Sequence, residues 1–121
     1  MKLTNNQIYK YGNELSIFTN CDIKMPVRIN FFLQKNIQAI VNAAQEIEMA
    51  RMNIARQFGV PNEEGTSYSI PQENMAQAQK ELNDLFALEQ EINLHIFKLD
   101  DFNDIELTYQ QMSAIMFMIE E

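Results

Sequence analysis

The sequence predicts a mainly α (α+β) domain: a long antiparallel helical hairpin with two flanking helices and a small two-stranded β-ribbon. Between Leu33 and Phe58, apolar residues recur at alternating steps of four and three, the period of one helix face. Shorter segments near residues 8, 75 and 112 repeat that period. The chain holds only three glycines and three prolines, which suits long helices with few tight turns.

Length and composition predict a single domain over residues 1–121. A chain of 121 residues with 46% apolar residues can bury one modest core. Cys21 is the lone cysteine, which excludes an internal disulfide and fits a reducing cytoplasm. The opening MKLTNNQ lacks the apolar stretch of a signal sequence, and no run approaches the roughly 18 apolar residues of a membrane span. We therefore expect a soluble, intracellular protein.

The first helix is predicted over residues 5–18. Thr4 and Gln7 have the spacing of a capping box, in which each side chain satisfies a free backbone N–H group at the helix start. Apolar residues then follow at steps of three and four: Ile8, Tyr11, Leu15 and Phe18. Residues 19–22 have the composition of a turn.

Residues 25–31 alternate between apolar and polar side chains, which predicts a short strand with Val27, Ile29 and Phe31 on one face. Pro26 lacks an N–H group, so this strand should lie at an edge or begin at the proline. Near Asn30 the period changes from 2 to 3.6, and the long helix is predicted to begin there.

The long helix carries a heptad-type seam with one charged member, Arg51. The seam consists of Leu33, Ile37, Ile40, Ala44, Ile47, Arg51, Ile54 and Phe58. An arginine on such a seam either pairs with a carboxylate, reaches solvent, or meets a ligand across an oligomer interface. Candidate carboxylates on the next helix are Glu81, Asp84 and Glu89.

Residues 59–70 predict a loop in which Gly59 caps the long helix and Tyr68 is an exposed aromatic residue. Pro71 suits the first turn of a second helix over 72–90. Because this helix keeps heptad spacing, we expect it to fold back antiparallel on the long helix.

Residues 92–99 alternate again and predict a second strand, which we expect to pair with residues 27–31. An acidic turn follows at 100–104. Thr108 and Gln111 repeat the capping-box spacing and open a final helix. Its predicted buried face consists of Met112, Ile115, Met116 and Ile119.

Charge is distributed unevenly along the chain, whose net charge is −8. Residues 1–56 contain seven Lys and Arg against four acids, whereas the remainder contains two against thirteen. The acidic total argues against general nucleic-acid binding and against anionic membranes. Either the two halves attract each other, or the acidic half is offered to a basic partner.

No catalytic or metal-binding motif is present, so we expect a protein that is not an enzyme and needs no cofactor. His95 is the only histidine, which excludes sites with two histidine ligands; on a strand it suits a pairing face. Asp100, Asp101 and Asp104 lack the central glycine and terminal glutamate of a calcium loop, and we interpret them as a solvated turn.

One hypothesis for a site groups basic and phenolic side chains that could hold a phosphate-bearing small molecule, because a guanidinium fork matches phosphate oxygens. Its members are Arg28, Lys35, Arg51, Arg56, Tyr9 and Tyr11. Structural pairing of Arg51 with a carboxylate is the alternative. Arg51 and Arg56 are five residues apart, about 140° around a helix, so they do not share a face.

The segments KLTNNQIY, MPVRINFFLQKNIQAI and IFKLDDFNDIELTYQQMSAIMFMIEE resemble a family of small proteins of unknown function from phages and prophages of Gram-positive bacteria. The resemblance implies a phage origin and action in the infected cell or in virion assembly. It implies no catalytic residues.

These observations predict a non-enzymatic, phage-encoded binding protein in the cytoplasm of the infected bacterial host. The leading hypothesis is counter-defence, in which the protein sequesters a host immune signalling nucleotide or blocks a host defence protein. The alternative is a structural or assembly role in the virion or tail. Because an elongated hairpin exposes apolar surface, we also expect a homo-oligomer.

Overall fold

The long helix predicted from the seam is the centre of the structure. It is α2, Val27–Phe58, a continuous helix of 32 residues and roughly 48 Å at about 1.5 Å per residue. The computed structural model describes residues 1–18, 23–65 and 67–120, so the turn predicted at 19–22 lies outside the described residues. The remaining helices and strands are β1 Lys2–Thr4, α1 Asn5–Leu15, β2 Val60–Pro61, β3 Tyr68–Ser69, α3 Gln72–Ala87, β4 Glu89–Glu91, β5 Phe97–Lys98, α4 Tyr109–Ile115 and β6 Ile119–Glu120. This arrangement confirms the predicted mainly α class with a small β component.

One stripe of α2 faces the core. Its buried residues follow steps of four and three, as the heptad pattern predicts: Ile29, Leu33, Asn36, Ile40, Ala43 and Ile47. No residue of α2 beyond Ile47 is buried. The predicted seam is therefore correct in period, but Asn36 and Ala43 are buried while the predicted Ile37 and Ala44 are half-buried. Its C-terminal part, including Arg51, lies outside the core.

Helix α3 runs antiparallel to α2, which confirms the helical hairpin. At its start, the side-chain amide of Asn74 donates a hydrogen bond to the carbonyl of Phe58, at 3.1 Å. Near its end, Phe86 makes an edge-on contact with Tyr9, whose hydroxyl bonds to Glu48 of α2. Thus α3 begins beside the C-terminal end of α2 and returns along it.

The strand predicted at 27–31 is wrong, because these residues form the first turns of α2. An alternation of apolar and polar side chains over only five residues is also compatible with a helix in which a single apolar residue, Ile29, is buried. Ile29 is buried, whereas Val27 and Phe31 are exposed.

The strand predicted at 92–99 is mostly wrong too. Only β5 is a strand there, and it pairs in parallel with β6 rather than with residues 27–31. A second two-stranded sheet pairs β1 antiparallel with β4, and a third pairs β2 with β3. Because residues 27–31 are helical, the strand that was expected to pair with this segment does not form. The apolar segment after β4 therefore lies against α2 without pairing to a neighbouring strand.

Two ion pairs join the basic first half to the acidic second half among the described residues. The N-terminal ammonium group binds Glu91 at 2.9 Å, and Lys2 lies 3.5 Å from Glu89. Both flank the β1–β4 sheet. Attraction between the halves is therefore observed at the N-terminus of the chain, in exposed positions where each pair contributes little stability.

The loop predicted at 59–70 contains a short hairpin, β2–β3, with Gly65 in the left-handed region at φ 71°. Gly59 ends α2 as predicted, but its backbone is extended, with φ −105°. A Cβ there would collide with the carbonyl oxygen of Ala55, which explains the glycine. Tyr68 was predicted to be exposed and is instead half-buried beside this glycine.

The C-terminal helix α4 is followed by a 3-10 turn, Met116–Met118, so its predicted apolar face is only partly correct. Ile115 is buried as expected, but Met116 is 46% exposed. Ala114 and Met118 are buried in its place. The tighter winding of the 3-10 turn rotates the later side chains away from the α-helical register.

Both predicted capping boxes are present, and the one at α4 gives a stability test. The Thr108 hydroxyl accepts the Gln111 N–H at 3.1 Å, and the Gln111 side chain accepts the Thr108 N–H at 2.9 Å. We expect Thr108→Ala to lower the free energy of unfolding by about 1 kcal/mol, measured by urea denaturation. Thr108→Ser keeps the acceptor and should lose much less; an equal loss in both variants would contradict the capping role.

Candidate functional site

A cleft opens between the first turns of α2 and the segment that follows β4. We call it the aromatic–basic cleft. We include as its rim Arg28 and Phe31, which do not line it but lie beside the lining residues Phe32 and Lys35. Its volume is about 400 Å³, which lies in the range of small-molecule sites. Phe32, Lys35, Asn93 and His95 line it together with Asn36, Ala39 and Leu94.

Aromatic rings form a column from the rim of the cleft to the core. The Arg28 guanidinium carbon lies 5.7 Å from the centroid of the Phe32 ring. Phe32 stacks on the His95 imidazole, with centroids 4.1 Å apart and planes at 13°. His95 in turn meets Phe97, a fully buried ring, edge-on at 4.7 Å. Through these contacts, the orientation of the Arg28 and Phe32 side chains at the cleft depends on the buried Phe97 ring.

Asn36 holds the backbone of His95 against α2. Its amide nitrogen donates to the His95 carbonyl at 2.8 Å, and its amide oxygen accepts the His95 N–H at 2.8 Å. Asn36 is only 2% exposed, and its nitrogen also lies 3.3 Å from the Met118 sulfur. The two backbone bonds replace the strand ladder that this segment lacks, and they fix one wall of the cleft.

Among the residues that the structure describes, the basic groups of the cleft have no acidic partner. Within the described ranges, no carboxylate lies within the 4.0 Å ion-pair distance of Arg28 or Lys35. The Lys35 ammonium instead lies 5.7 Å from the centroid of the Phe31 ring, which is 56% exposed. Although the chain has a net charge of −8, two cations and an exposed aromatic ring lie together here, and no described carboxylate neutralises the cations.

A separate polar cluster lies in the C-terminal half of α2, where the side chains of Tyr9 and Arg51 both bond to Glu48. The Tyr9 hydroxyl donates to the Glu48 carboxylate at 3.0 Å, and the Arg51 Nε donates to the same oxygen at 3.0 Å. The Arg51 hydrogen bonds hold the pKa of Glu48 below its usual value, and the bond to Glu48 raises the pKa of the Tyr9 phenol. The candidate partners Glu81, Asp84 and Glu89 are therefore wrong for Arg51. Glu48 lies one turn away from Arg51 on the same helix, so the two side chains meet without any contact between distant segments of the chain.

The lowered pKa of Glu48 predicts a pH dependence of stability. Because the folded state holds the charged carboxylate, this contribution is complete above the unfolded pKa of about 4.5 and is lost as pH falls through the lower folded value. The side chains are 33% and 46% exposed, so solvent screening limits the contribution to about 0.5 kcal/mol. We expect Glu48→Gln to be less stable than the original chain at pH 7 and to approach it near pH 3, in urea titrations at both values. A constant difference across this range would contradict the assignment.

The six candidate ligand residues do not form one site. Arg28 and Lys35 belong to the aromatic–basic cleft, and Tyr9 and Arg51 belong to the Glu48 cluster. The Tyr11 ring stacks on Phe117 at 3.9 Å, and the Arg56 guanidinium bonds to Asn53 at 3.4 Å in an exposed position. Arg28 and Arg51 are separated along α2 by roughly 35 Å at about 1.5 Å per residue.

The acidic turn does not form a metal site in the described part of the chain, and the lone histidine does not lie on a strand. Asp100 and Asp101 lie in a 3-10 turn, Leu99–Phe102, and the Asp101 carboxylate accepts the Lys98 N–H at 3.0 Å. In the described part of the chain, no three His, Cys, Asp or Glu side chains are grouped to hold a metal ion. The predicted strand position of His95 is wrong, because β5 contains only Phe97 and Lys98. The His95 ring packs in the aromatic column.

Sequence reasoning missed Phe31, Phe32, Asn36 and Asn93 as members of the site. One available signal was the seven-residue spacing of Arg28 and Lys35 with aromatic residues between them, which places both cations on one helix face.

The described helices include none that is long and apolar enough to cross a membrane. Comparison with family models, curated proteins and solved structures gives no significant match.

Proposed function

We propose that this chain is a non-enzymatic binding protein made by a phage, which acts in the cytoplasm of the infected bacterial host against the host's defences. It sequesters an immune signalling molecule or blocks a defence protein. The aromatic–basic cleft is the surface through which it binds.

The observation that supports this proposal is the uncompensated positive charge of the cleft. Arg28 and Lys35 have no ion-pair partner among the described residues, although the chain carries seventeen acidic residues. Long basic side chains cost about 2 kcal/mol of entropy each to fix. Lys35 lies beside the exposed Phe31 ring and Arg28 beside the half-buried Phe32 ring, next to the cleft. This placement favours a role in binding an anion rather than a role in stability.

The experiment is co-expression with bacterial defence systems, read out as phage growth. We expect the original chain to restore growth against at least one system, and Arg28→Ala with Lys35→Ala to abolish that effect. The control is Arg56→Ala with Lys80→Ala, which removes the same charge from exposed positions outside the cleft. Absence of rescue in every system, with no bound nucleotide or host protein in pull-downs, would reject the proposal.

A second candidate, a structural or assembly role in the virion, is favoured by exposed apolar side chains towards the other end of the hairpin. Met49 is 67% exposed, Val60 57% and Met75 55%. Such side chains support self-association or contact with other subunits. Mass spectrometry of purified particles discriminates between the roles, because an assembly protein that stays in the virion is present in stoichiometric amounts. Sedimentation velocity of the purified chain tests the expected homo-oligomer.

A further inference from the structure

Lys35 joins the two features of the cleft that bear on ligand chemistry. Its side chain lines the cleft, and its ammonium lies 5.7 Å from the centroid of the Phe31 ring. Phe32 already packs against both the Arg28 guanidinium and the His95 imidazole. The exposed Phe31 ring is therefore the aromatic surface that remains for a ligand.

Hydrogen-bond donors in the cleft are also left over. Within residues 1–18, 23–65 and 67–120, the ring nitrogens of His95 and the side-chain amide of Asn93 make no hydrogen bond, nor does the Lys35 ammonium. The lining contains no Asp or Glu. A cation with free donors and no nearby acid is the chemistry that receives a phosphate group.

We infer that the aromatic–basic cleft binds a nucleotide, with the phosphate held in the cleft by Lys35 and His95 and the base stacked on Phe31. This inference rests on the proposed function and specifies its ligand class. A nucleotide carries an anion and a flat ring within one small molecule, which matches the ammonium beside the exposed ring. An acidic protein surface would satisfy the cations but would leave Phe31 without a flat partner.

The test is isothermal titration of the full-length chain with four probes: AMP, adenosine, ribose 5-phosphate and inorganic phosphate. We expect AMP to bind more tightly than any of its parts. Phe31→Ala should weaken AMP binding about tenfold and leave ribose 5-phosphate binding unchanged, because stacking on an aromatic ring contributes to the binding of a base and not of a sugar phosphate. Lys35→Ala should weaken the binding of AMP and of ribose 5-phosphate about tenfold each.

Matched controls are Tyr109→Ala and Lys80→Ala, which remove an exposed ring and an exposed cation elsewhere and should leave AMP binding unchanged. Circular dichroism checks that each variant is folded, as expected because the four side chains are exposed or partly exposed. Titration with a cyclic dinucleotide shows whether a second base adds affinity, which is expected if signalling nucleotides are the ligands.

The inference is overturned if neither AMP nor the cyclic dinucleotide binds at millimolar concentration, or if Phe31→Ala weakens AMP and ribose 5-phosphate equally. If nucleotides fail to bind but the cleft variants still abolish rescue of phage growth, the proposed function stands and its ligand is an acidic protein surface. If nucleotides bind in the titrations but no defence system is counteracted and pull-downs recover no nucleotide or host protein, the nucleotide site stands and the counter-defence role is rejected.

Discussion

Replacing Asn36 by alanine is expected to lower the free energy of unfolding by about 2–4 kcal/mol. The substitution removes both hydrogen bonds to the His95 backbone, each 2.8 Å long. It leaves an N–H and a carbonyl group without partners in a partly buried place, and each costs about 1–3 kcal/mol. Partial access of water to His95 keeps the total below the sum of the maximal costs. Urea denaturation followed by circular dichroism measures the loss.

Two further variants separate this role from a general effect of removing an amide. Asn42→Ala removes an exposed asparagine of the same helix, whose partner is Gln38, and should change stability by less than about 0.5 kcal/mol. Asn36→Asp keeps an acceptor for the His95 N–H but loses the donor to its carbonyl, and should be destabilised as well. If Asn36→Ala is as mild as Asn42→Ala, the clamp on His95 is not a structural requirement.

Phe97→Ala is expected to cost about 3–5 kcal/mol, because it removes a large side chain with no exposed surface. Phe97 contacts the His95 ring at 4.7 Å and the Phe102 ring at 5.2 Å, both edge-on. Its backbone belongs to β5, which pairs with β6, so a cavity there also weakens the attachment of the C-terminal strand. A loss of this size is a large part of the 5–15 kcal/mol typical of a whole domain.

The measurement for Phe97 is again equilibrium urea unfolding, with Phe31→Ala as the control. Phe31 is 56% exposed, and its truncation should cost less than about 1 kcal/mol. Phe97→Leu should fall between the two, since it restores part of the lost volume. A loss for Phe97→Ala no larger than that for Phe31→Ala would contradict the position of this ring at the base of the aromatic column.

The fold was most predictable where local rules determine structure. Capping boxes at Thr4 and Thr108 set two helix starts, and the heptad period set the length of α2. The strands were not predictable in the same way. Alternation at residues 27–31 satisfied a helix and a strand equally well, and the true partner of β5 lies in β6, near the end of the chain. Pairing between distant segments leaves no mark in the local pattern.

The candidate site was predictable only in part, for a related reason. Arg28 and Lys35 were identified by charge, and both belong to the cleft. Their grouping with Arg51 failed because it counted charges without the geometry of one helix, on which Arg51 lies several turns away next to Glu48. Asn36 could not be found, since it lies one position before the seam residue Ile37, where a buried asparagine is indistinguishable in sequence from an exposed one. The structural role of Asn36 depends on the backbone of His95, which is 59 residues further along the chain.

The stripe of buried side chains on α2 ends at Ile47, although the helix continues to Phe58. Among the described residues of the far end of the hairpin, with β2 and β3, side chains are half-buried or exposed apart from Ala78 of α3. In native-state hydrogen exchange, a region of this kind opens in small excursions that need far less free energy than global unfolding. The cleft lies near the opposite end of α2, against the core, so we expect it to stay formed while the distant end of the hairpin opens and closes.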